Sequence, residues 1–157
     1  VLVEQEDIVK KSIKIINTWL ETQGPKDRRV FIGGNYRNIA LLRLIEKTVS
    51  NLSFIPIIPV NLKELSNPPY DELINDTSMM ILQKCSYAIF EVTMSNGHLM
   101  EIERAKDMQN FQVILLYQTT EHGRRPIVTR MAMTTKFEKK GYQNLTELTT
   151  YIEDFLS

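Results

Sequence analysis

Glu101 is a candidate catalytic residue because of both its carboxylate side chain and its position in the sequence. It follows residues 95–97, where a helix is predicted to begin. Because residues three or four apart share a helix face, Glu101 is expected to align with Ala105 on the inward side, whereas Glu103 faces solvent. A carboxylate held beside a bound sugar can act as a nucleophile or stabilise an oxocarbenium ion. Alternatively, Glu101 reaches water at the edge of the apolar face, favoured there by the helix dipole.

Two glycine-containing loops are predicted to form a ligand site near this carboxylate. Glycines let backbone N–H groups approach an anion, and helix N-termini favour negative charge. An arginine can add a bidentate phosphate contact, a tyrosine ring can stack on a base, and a histidine can transfer a proton. The predicted ligand-binding residues are Gly33, Gly34, Asn35, Tyr36 and Arg37 in the first loop and Thr93, Ser95, Asn96, Gly97 and His98 in the second.

Other interpretations of these loops stay open. Ordinary strand-to-helix turns would explain the same glycines, and neither GxGxxG nor a phosphate-binding loop ending in Gly-Lys-Ser/Thr is present. Helix capping explains Ser95, and a polar surface position explains His98. The two histidines and Cys85 do not have metal-ligand spacing, so no metal is expected.

Alternating strands and helices must position these loops. Short β-rich runs are predicted at 29–32, 53–60, 86–93 and 111–117, the second interrupted by two prolines and therefore an edge strand. Helices are predicted over about 5–21, 37–49 and 70–84, from 95 onward, and at the C-terminal end. In that last helix the residues expected to face inward are Leu145, Leu148, Ile152 and Phe155.

This alternation predicts an α/β fold, a flavodoxin-like three-layer sandwich. Its parallel sheet of about five strands should have the order 2-1-3-4-5, with an extra N-terminal helix. One domain is expected over 1–157, with an accessory helix at 1–24 and the core at 28–157. In this strand order, ligands bind beyond the carboxyl ends of the first and third strands, where the two loops lie.

Composition limits the classes of partner. The 19 basic and 19 acidic side chains balance, so nucleic acid is not an expected partner. No apolar run approaches the roughly 20 residues that cross a bilayer, and no membrane association is expected. Cys85, the single cysteine, allows no internal disulfide, which fits a cytoplasmic location. A chain that begins with Val1 is expected to be a segment of a longer protein.

Part of the chain resembles known families. The segment 81–93, followed by Asn96-Gly97 and residues 101–105, resembles the nucleoside 2-deoxyribosyltransferase-like group and equally the bacterial Toll/interleukin-receptor-like (TIR-like) nucleotide-binding domains. The resemblance covers residues 30–117 and implies a flavodoxin-like fold, with the family glutamate at Glu101 and chemistry at a glycosidic bond. The transferases commonly have an acidic residue near the end of the third strand, often in an Asp-x-Gly-type loop. Here that place holds Glu91-Val92-Thr93, which disfavours deoxyribosyl transfer more than nucleotide binding.

Two functions remain open. In the first, the chain is an N-glycosidase or NAD glycohydrolase that cleaves or transfers at the N-glycosidic bond of a nucleoside or nucleotide such as NAD through Glu101, with no cofactor required. In the second, it is a non-catalytic nucleotide-sensing or protein-assembly module of a larger signalling or defence protein. Its partners would then be further copies of itself or the other domains of that protein. The inward position of Glu101 favours the first, and the lack of a second well-placed acid favours the second.

Overall fold

The computed structural model describes residues 2–59, 61, 74–93, 99–119 and 136–157. These residues form the helices α1 (Leu2–Gln23), α2 (Ile39–Asn51), α3 (Ile74–Gln83), α4 (Leu99–Ala105) and α5 (Leu145–Phe155). The strands are β1 (Arg29–Gly33), β2 (Ile55–Ile57), β3 (Tyr87–Glu91), β4 (Gln112–Gln118) and β5 (Glu138–Tyr142). Short 3-10 turns at Lys26–Arg28 and Tyr36–Asn38 precede β1 and α2.

The strands of the described residues form one parallel sheet in the order β2-β1-β3-β4-β5. Helices α1, α3 and α4 supply buried side chains to the core on one face of the sheet, and α2 and α5 cover the other face. Burial on both faces explains why β3 and β4 read as almost continuous apolar runs. The predicted flavodoxin-like fold, with its strand order and N-terminal helix, is confirmed.

The connections of β1 and β3 create the crevice expected of this strand order. The two strands are hydrogen-bonded neighbours, with Phe31 opposite Ala88 and Gly33 opposite Phe90. The chain then leaves β1 toward α2 on one face of the sheet and leaves β3 toward α4 on the other. The connections that follow the two strands therefore diverge, and this is the position at which ligands bind in folds with this strand order.

The edge strand β2 is short, and a proline within it explains why. Only Ile55–Ile57 pairs with β1, and Pro56 lies within this stretch. Proline cannot donate a ladder hydrogen bond, so it is tolerated at a sheet edge and shortens the pairing. The prediction of an edge strand over 53–60 is confirmed in type, with a shorter extent.

Two features near the C-terminal end differ from expectation. The fifth strand, β5, occupies Glu138–Tyr142, where the sequence pattern predicts no strand. Its first three residues are charged, as is common in strands at a sheet edge, and they do not form an apolar run. The inward orientation predicted for Leu145 is wrong, since it is 55% exposed. Leu145 lies in the first turn of α5, after the cap Asn144, while the buried contacts come from later turns at Leu148 and Ile152.

Helix α1 contributes to the core through its C-terminal half. Ile16, Trp19 and Leu20 are buried in the same cluster as Phe31 and Phe90 of the sheet. The division into an accessory helix at 1–24 and a core at 28–157 stays a prediction. Among the described helices, none has the length and apolar character needed to cross a bilayer.

Candidate functional site

Helix α4 turns Glu101 toward the interior. Glu101 is only 6% exposed, and its helix neighbours Ile102 and Ala105 are buried as well. Glu103, two residues along, is exposed and accepts a hydrogen bond from Nζ of Lys106 at 2.7 Å. The predicted inward orientation of Glu101 is confirmed, and the interpretation in which it reaches water is wrong.

One oxygen of the Glu101 carboxylate, Oε2, is buried without a donor from the described part of the chain. Burial raises the pKa of the Glu101 carboxyl above its ordinary value, and a hydrogen bond from its own backbone N–H acts in the opposite direction. A buried ionised group with an unfilled acceptor is costly to hold. A ligand that donates a hydrogen bond or carries positive charge would lower that cost.

Tyr36 joins the first loop to Glu101. Burial of its hydroxyl, together with the nearby Glu101 carboxylate, raises the pKa of Tyr36 to about 12. The hydroxyl therefore remains protonated at neutral pH and interacts electrostatically with the Glu101 carboxylate. The residue as a whole is 39% exposed, so part of Tyr36 is open to contact from outside. The loop after β1 and helix α4 thus meet across the crevice, as the strand order predicts.

The two glycines of this loop have packing reasons to be glycine. A Cβ at Gly33 would lie 2.7 Å from Cδ1 of Phe90, and one at Gly34 would lie 2.5 Å from Cδ2 of Leu42. Neither glycine is among the described residues with positive φ. Close approach to neighbouring side chains therefore accounts for both, and their predicted role in anion binding stays a prediction.

Asn35 and Arg37 are linked through a local turn. The Oδ1 atom of Asn35 accepts a hydrogen bond from the backbone N of Arg37 at 2.9 Å, which caps the 3-10 turn before α2. This turn takes the place of the first turn of the helix predicted from residue 37, so α2 begins at Ile39. The Arg37 side chain is exposed, where an incoming ligand can contact it.

In the second loop the structure describes Thr93, while the predicted site residues Ser95, Asn96, Gly97 and His98 lie outside the described residues. The backbone N of Thr93 donates to Oε1 of Glu91 at 2.6 Å, and its hydroxyl donates to Oε2 at 3.0 Å. The same hydroxyl oxygen accepts from the backbone N of Gln118 at 2.7 Å. Thr93 therefore fixes the ends of β3 and β4 relative to each other.

Glu91 is a second buried carboxylate that the sequence did not place among the site residues. It is 5% exposed, and its Oε2 also accepts a short hydrogen bond from the hydroxyl of Tyr142 on β5. Burial and this bond to Glu91 raise the pKa of Tyr142. The sequence feature that could have identified Glu91 is a carboxylate at the last position of the apolar strand 87–91. Since Tyr142 belongs to the core beneath α2 and α5, Glu91 faces the opposite side of the sheet from Glu101.

A pocket of about 60 Å³ opens beside Glu91 at the carboxyl edge of the sheet. One wall is apolar and comes from Leu41 and Leu42 of α2. The remaining lining is polar and consists of Asn35, Asn38, Glu91, Thr93 and Gln118. Of the predicted site residues, the structure thus brings Asn35 and Thr93 to this pocket and places Tyr36 near Glu101.

Within the described ranges, no three His, Cys, Asp or Glu side chains come together in a way that could hold a metal ion. The expectation that no cofactor is required stays a prediction.

The raised pKa of Glu101 predicts a pH-dependent stability difference. A folded-state pKa above the roughly 4.3 of an exposed glutamate means that the folded protein loses stability as pH rises through that pKa. Glu101→Gln should therefore be more stable than the wild type at pH 7.5, and this gain should disappear near pH 4. Urea unfolding at the two pH values measures the difference. An equal gain at both, or no gain at either, would contradict the desolvation of Glu101.

Comparison with protein-family models and with curated proteins finds no match for this chain. Its function must therefore be inferred from the geometry and chemistry at the carboxyl edge of the sheet.

Proposed function

We propose that this domain binds a nucleotide at the carboxyl edge of β1 and β3 and cleaves or transfers at its N-glycosidic bond through Glu101, with NAD as the leading substrate. The observation that carries the proposal is the state of Glu101, which is 6% exposed with an Oε2 atom that receives no hydrogen bond from a described residue. The crevice between the diverging connections of β1 and β3 supplies the place. The resemblance of residues 30–117 to TIR-like and deoxyribosyltransferase-like domains agrees with this choice.

The chemistry fits a buried carboxylate whose Oε2 atom receives no hydrogen bond from a described residue. In the reaction, the bond between C1′ of the sugar and the base nitrogen breaks, and its electron pair leaves with the base. Positive charge develops at C1′, where an ionised Glu101 can stabilise it or form a covalent bond to the sugar. Water or an acceptor hydroxyl or amine then attacks C1′ and loses a proton to solvent, and any bond from C1′ to Glu101 breaks and frees the carboxylate. NAD suits this site because its nicotinamide ring is cationic before cleavage and leaves as a neutral base.

The other predicted residues would position the nucleotide. The ring of the partly exposed Tyr36 can stack on the base or sugar, and the protonated hydroxyl can donate a hydrogen bond. Arg37, exposed on the same turn, can bind phosphate in a bidentate manner. Contact of ribose or phosphate with Asn96 and Gly97 is assigned from the sequence alone, because both lie outside the described residues.

Loss of the Arg37 guanidinium should weaken nucleotide binding. Arg37→Ala is expected to cost about 1.5–3 kcal/mol of binding free energy, because a charged hydrogen bond to phosphate is lost. Isothermal titration with NAD measures this, with Lys47→Ala as the control, since Lys47 is exposed on α2 well after the loop. Equal affinities of Arg37→Ala and the wild type would remove Arg37 from the site.

The second function, a nucleotide-sensing or assembly module without turnover, is favoured by Glu91. This carboxylate already accepts hydrogen bonds from Thr93 and Tyr142 and faces the other side of the sheet. It is therefore not available to assist Glu101 as a second acid. In either function we place the protein in the cytoplasm, the compartment that suits its buried, unpaired Cys85.

Incubation of the purified domain with NAD and a panel of nucleosides and nucleotides distinguishes the two functions. Chromatography would measure released base, and a thermal shift would measure binding. Release of base identifies the substrate and supports the enzyme. A thermal shift with one ligand and no release supports the sensing module. If neither occurs, nucleotide binding is contradicted and protein assembly becomes the better explanation.

A further inference from the structure

We propose that the pocket beside Glu91 binds the vicinal hydroxyls of a sugar, namely the ribose of the bound nucleotide. This inference rests on the proposed nucleotide binding and adds a second recognition point on the opposite side of the crevice from Glu101. The pocket is assembled from three parts of the fold: the turn after β1, the start of α2, and the carboxyl ends of β3 and β4.

Glu91 supplies a rigid acceptor in the lining of this pocket. A carboxylate offers about four acceptor positions. Three donors from described residues reach the Glu91 carboxylate: the backbone N and the hydroxyl of Thr93 and the hydroxyl of Tyr142. Among the described residues, no second donor reaches Oε1, and in this proposal a ligand hydroxyl takes that position. The bonds already present hold the group at 5% exposure, so it would not need to reorganise on binding.

Side-chain amides surround the carboxylate. Asn35 lines the pocket and uses its Oδ1 atom to cap the turn at Arg37, so the group it can offer as a donor is Nδ2. Asn38 makes no capping hydrogen bond with its side chain at the start of α2. Gln118 is exposed at the end of β4, where its backbone N is already bound to Thr93. These amides can donate to a group that in turn donates to Glu91.

Hydroxyl groups match this arrangement better than a base or a phosphate. A hydroxyl can donate to a carboxylate and accept from an amide at the same time. A phosphate would meet the negative charge of Glu91, and a flat base has two apolar faces, whereas the pocket has a single apolar wall, formed by Leu41 and Leu42. That wall suits the carbon face of a sugar. An acidic side chain that binds ribose hydroxyls is a known solution in dinucleotide-binding folds.

One nucleotide can occupy the pocket and reach Glu101. Asn35 lines the pocket, and the next residue, Tyr36, lies near enough to Glu101 for the carboxylate to raise its pKa. The two residues are adjacent in the turn after β1, so this turn connects the pocket with the region of Glu101, and one nucleotide would extend along it.

The test compares ligands with and without the hydroxyls. The four ribonucleoside monophosphates and their 2′,3′-dideoxy counterparts are titrated into Glu101→Gln, which removes turnover and keeps the pocket. At least one ribonucleotide should bind about tenfold or more tightly than its dideoxy counterpart. Asn38→Leu should abolish that difference, and Asn51→Leu, an equal change at the other end of α2, should preserve it.

Each result has a distinct meaning. Equal affinities of the two ligand series, no binding by either series, or a difference that survives in Asn38→Leu would overturn the inference. Ribose 5-phosphate that binds with the same dependence on Asn38 would show that the pocket takes a free sugar phosphate. If affinity depends on the hydroxyls but wild-type protein releases no base, the sugar site at the pocket is supported and the catalytic role of Glu101 is contradicted. If base is released but affinity does not depend on the hydroxyls, the catalytic role is supported and the sugar site is contradicted.

Discussion

Replacement of Glu101 by glutamine is expected to slow release of the base by about 10²–10³-fold, the range found when a preorganised electrostatic group is removed from a transition state. Glutamine keeps the shape of the side chain but has no charge to stabilise C1′ and cannot form a glycosyl ester. Nucleotide affinity should change much less than the rate, because ground-state contacts from Tyr36 and Arg37 remain. Initial rates and dissociation constants measured on the same preparations separate the two effects.

Helix α4 offers a matched control for this experiment. Glu103→Gln makes the identical chemical change two residues away, at an exposed side chain bound to Lys106. Its rate should equal that of the wild type. Equal loss of rate in both variants would point to damage of the helix, and full activity of Glu101→Gln would remove Glu101 from the chemistry.

Removal of the Tyr142 hydroxyl is expected to lower the free energy of unfolding by about 1.5–3 kcal/mol, the value of a hydrogen bond to a charged group. Tyr142 is 2% exposed and donates to Oε2 of Glu91, so Tyr142→Phe leaves a buried carboxylate with one donor fewer. Urea unfolding monitored by circular dichroism gives the change. Tyr151→Phe is the control, because the Tyr151 hydroxyl bonds to Glu147 within one helix at 3.2 Å, and its loss should cost about 0.5 kcal/mol or less.

A double-mutant cycle tests whether this cost comes from the pair. Glu91→Gln should also destabilise the protein, and the combined variant should be more stable than the sum of the two losses predicts, by about 0.5–3 kcal/mol. Strict additivity would show that Tyr142 and Glu91 contribute independently. In that case the hydrogen bond between Tyr142 and Glu91 would not stabilise the arrangement of β3 and β5 on either side of β4. The pocket beside Glu91 would then lose its rigid acceptor.

The fold could be predicted because its determinants are local and repeated. Strands β3 and β4 are buried on both faces and so carry nearly unbroken apolar runs, while α2 shows a helical period through Leu42, Ile45 and Val49. Spacing within one helix was also sufficient to orient Glu101 inward and Glu103 outward. These features depend on residues that are close in sequence, so a sequence pattern can reveal them.

Other features depend on contacts between distant segments. Among the described residues, strand β5 pairs with β4 alone and carries charge, so its sequence lacks the apolar signal of its neighbours. Glu91 obtains a buried position through Tyr142, which is 51 residues away in the chain. The glycines at 33 and 34 resemble an anion-binding loop, but the side chains of Phe90 and Leu42 explain them. None of these contacts could be read from residue type and spacing.

The most direct test of the proposed chemistry is the amount of nicotinamide released from NAD by equal amounts of folded wild-type protein and Glu101→Gln. The expected result is release by the wild type, with an equal amount of the ribosyl product, and almost none by Glu101→Gln. Intact NAD after incubation with the wild type, or equal release by the two proteins, would contradict the claim that the buried carboxylate of Glu101 acts on the glycosidic bond.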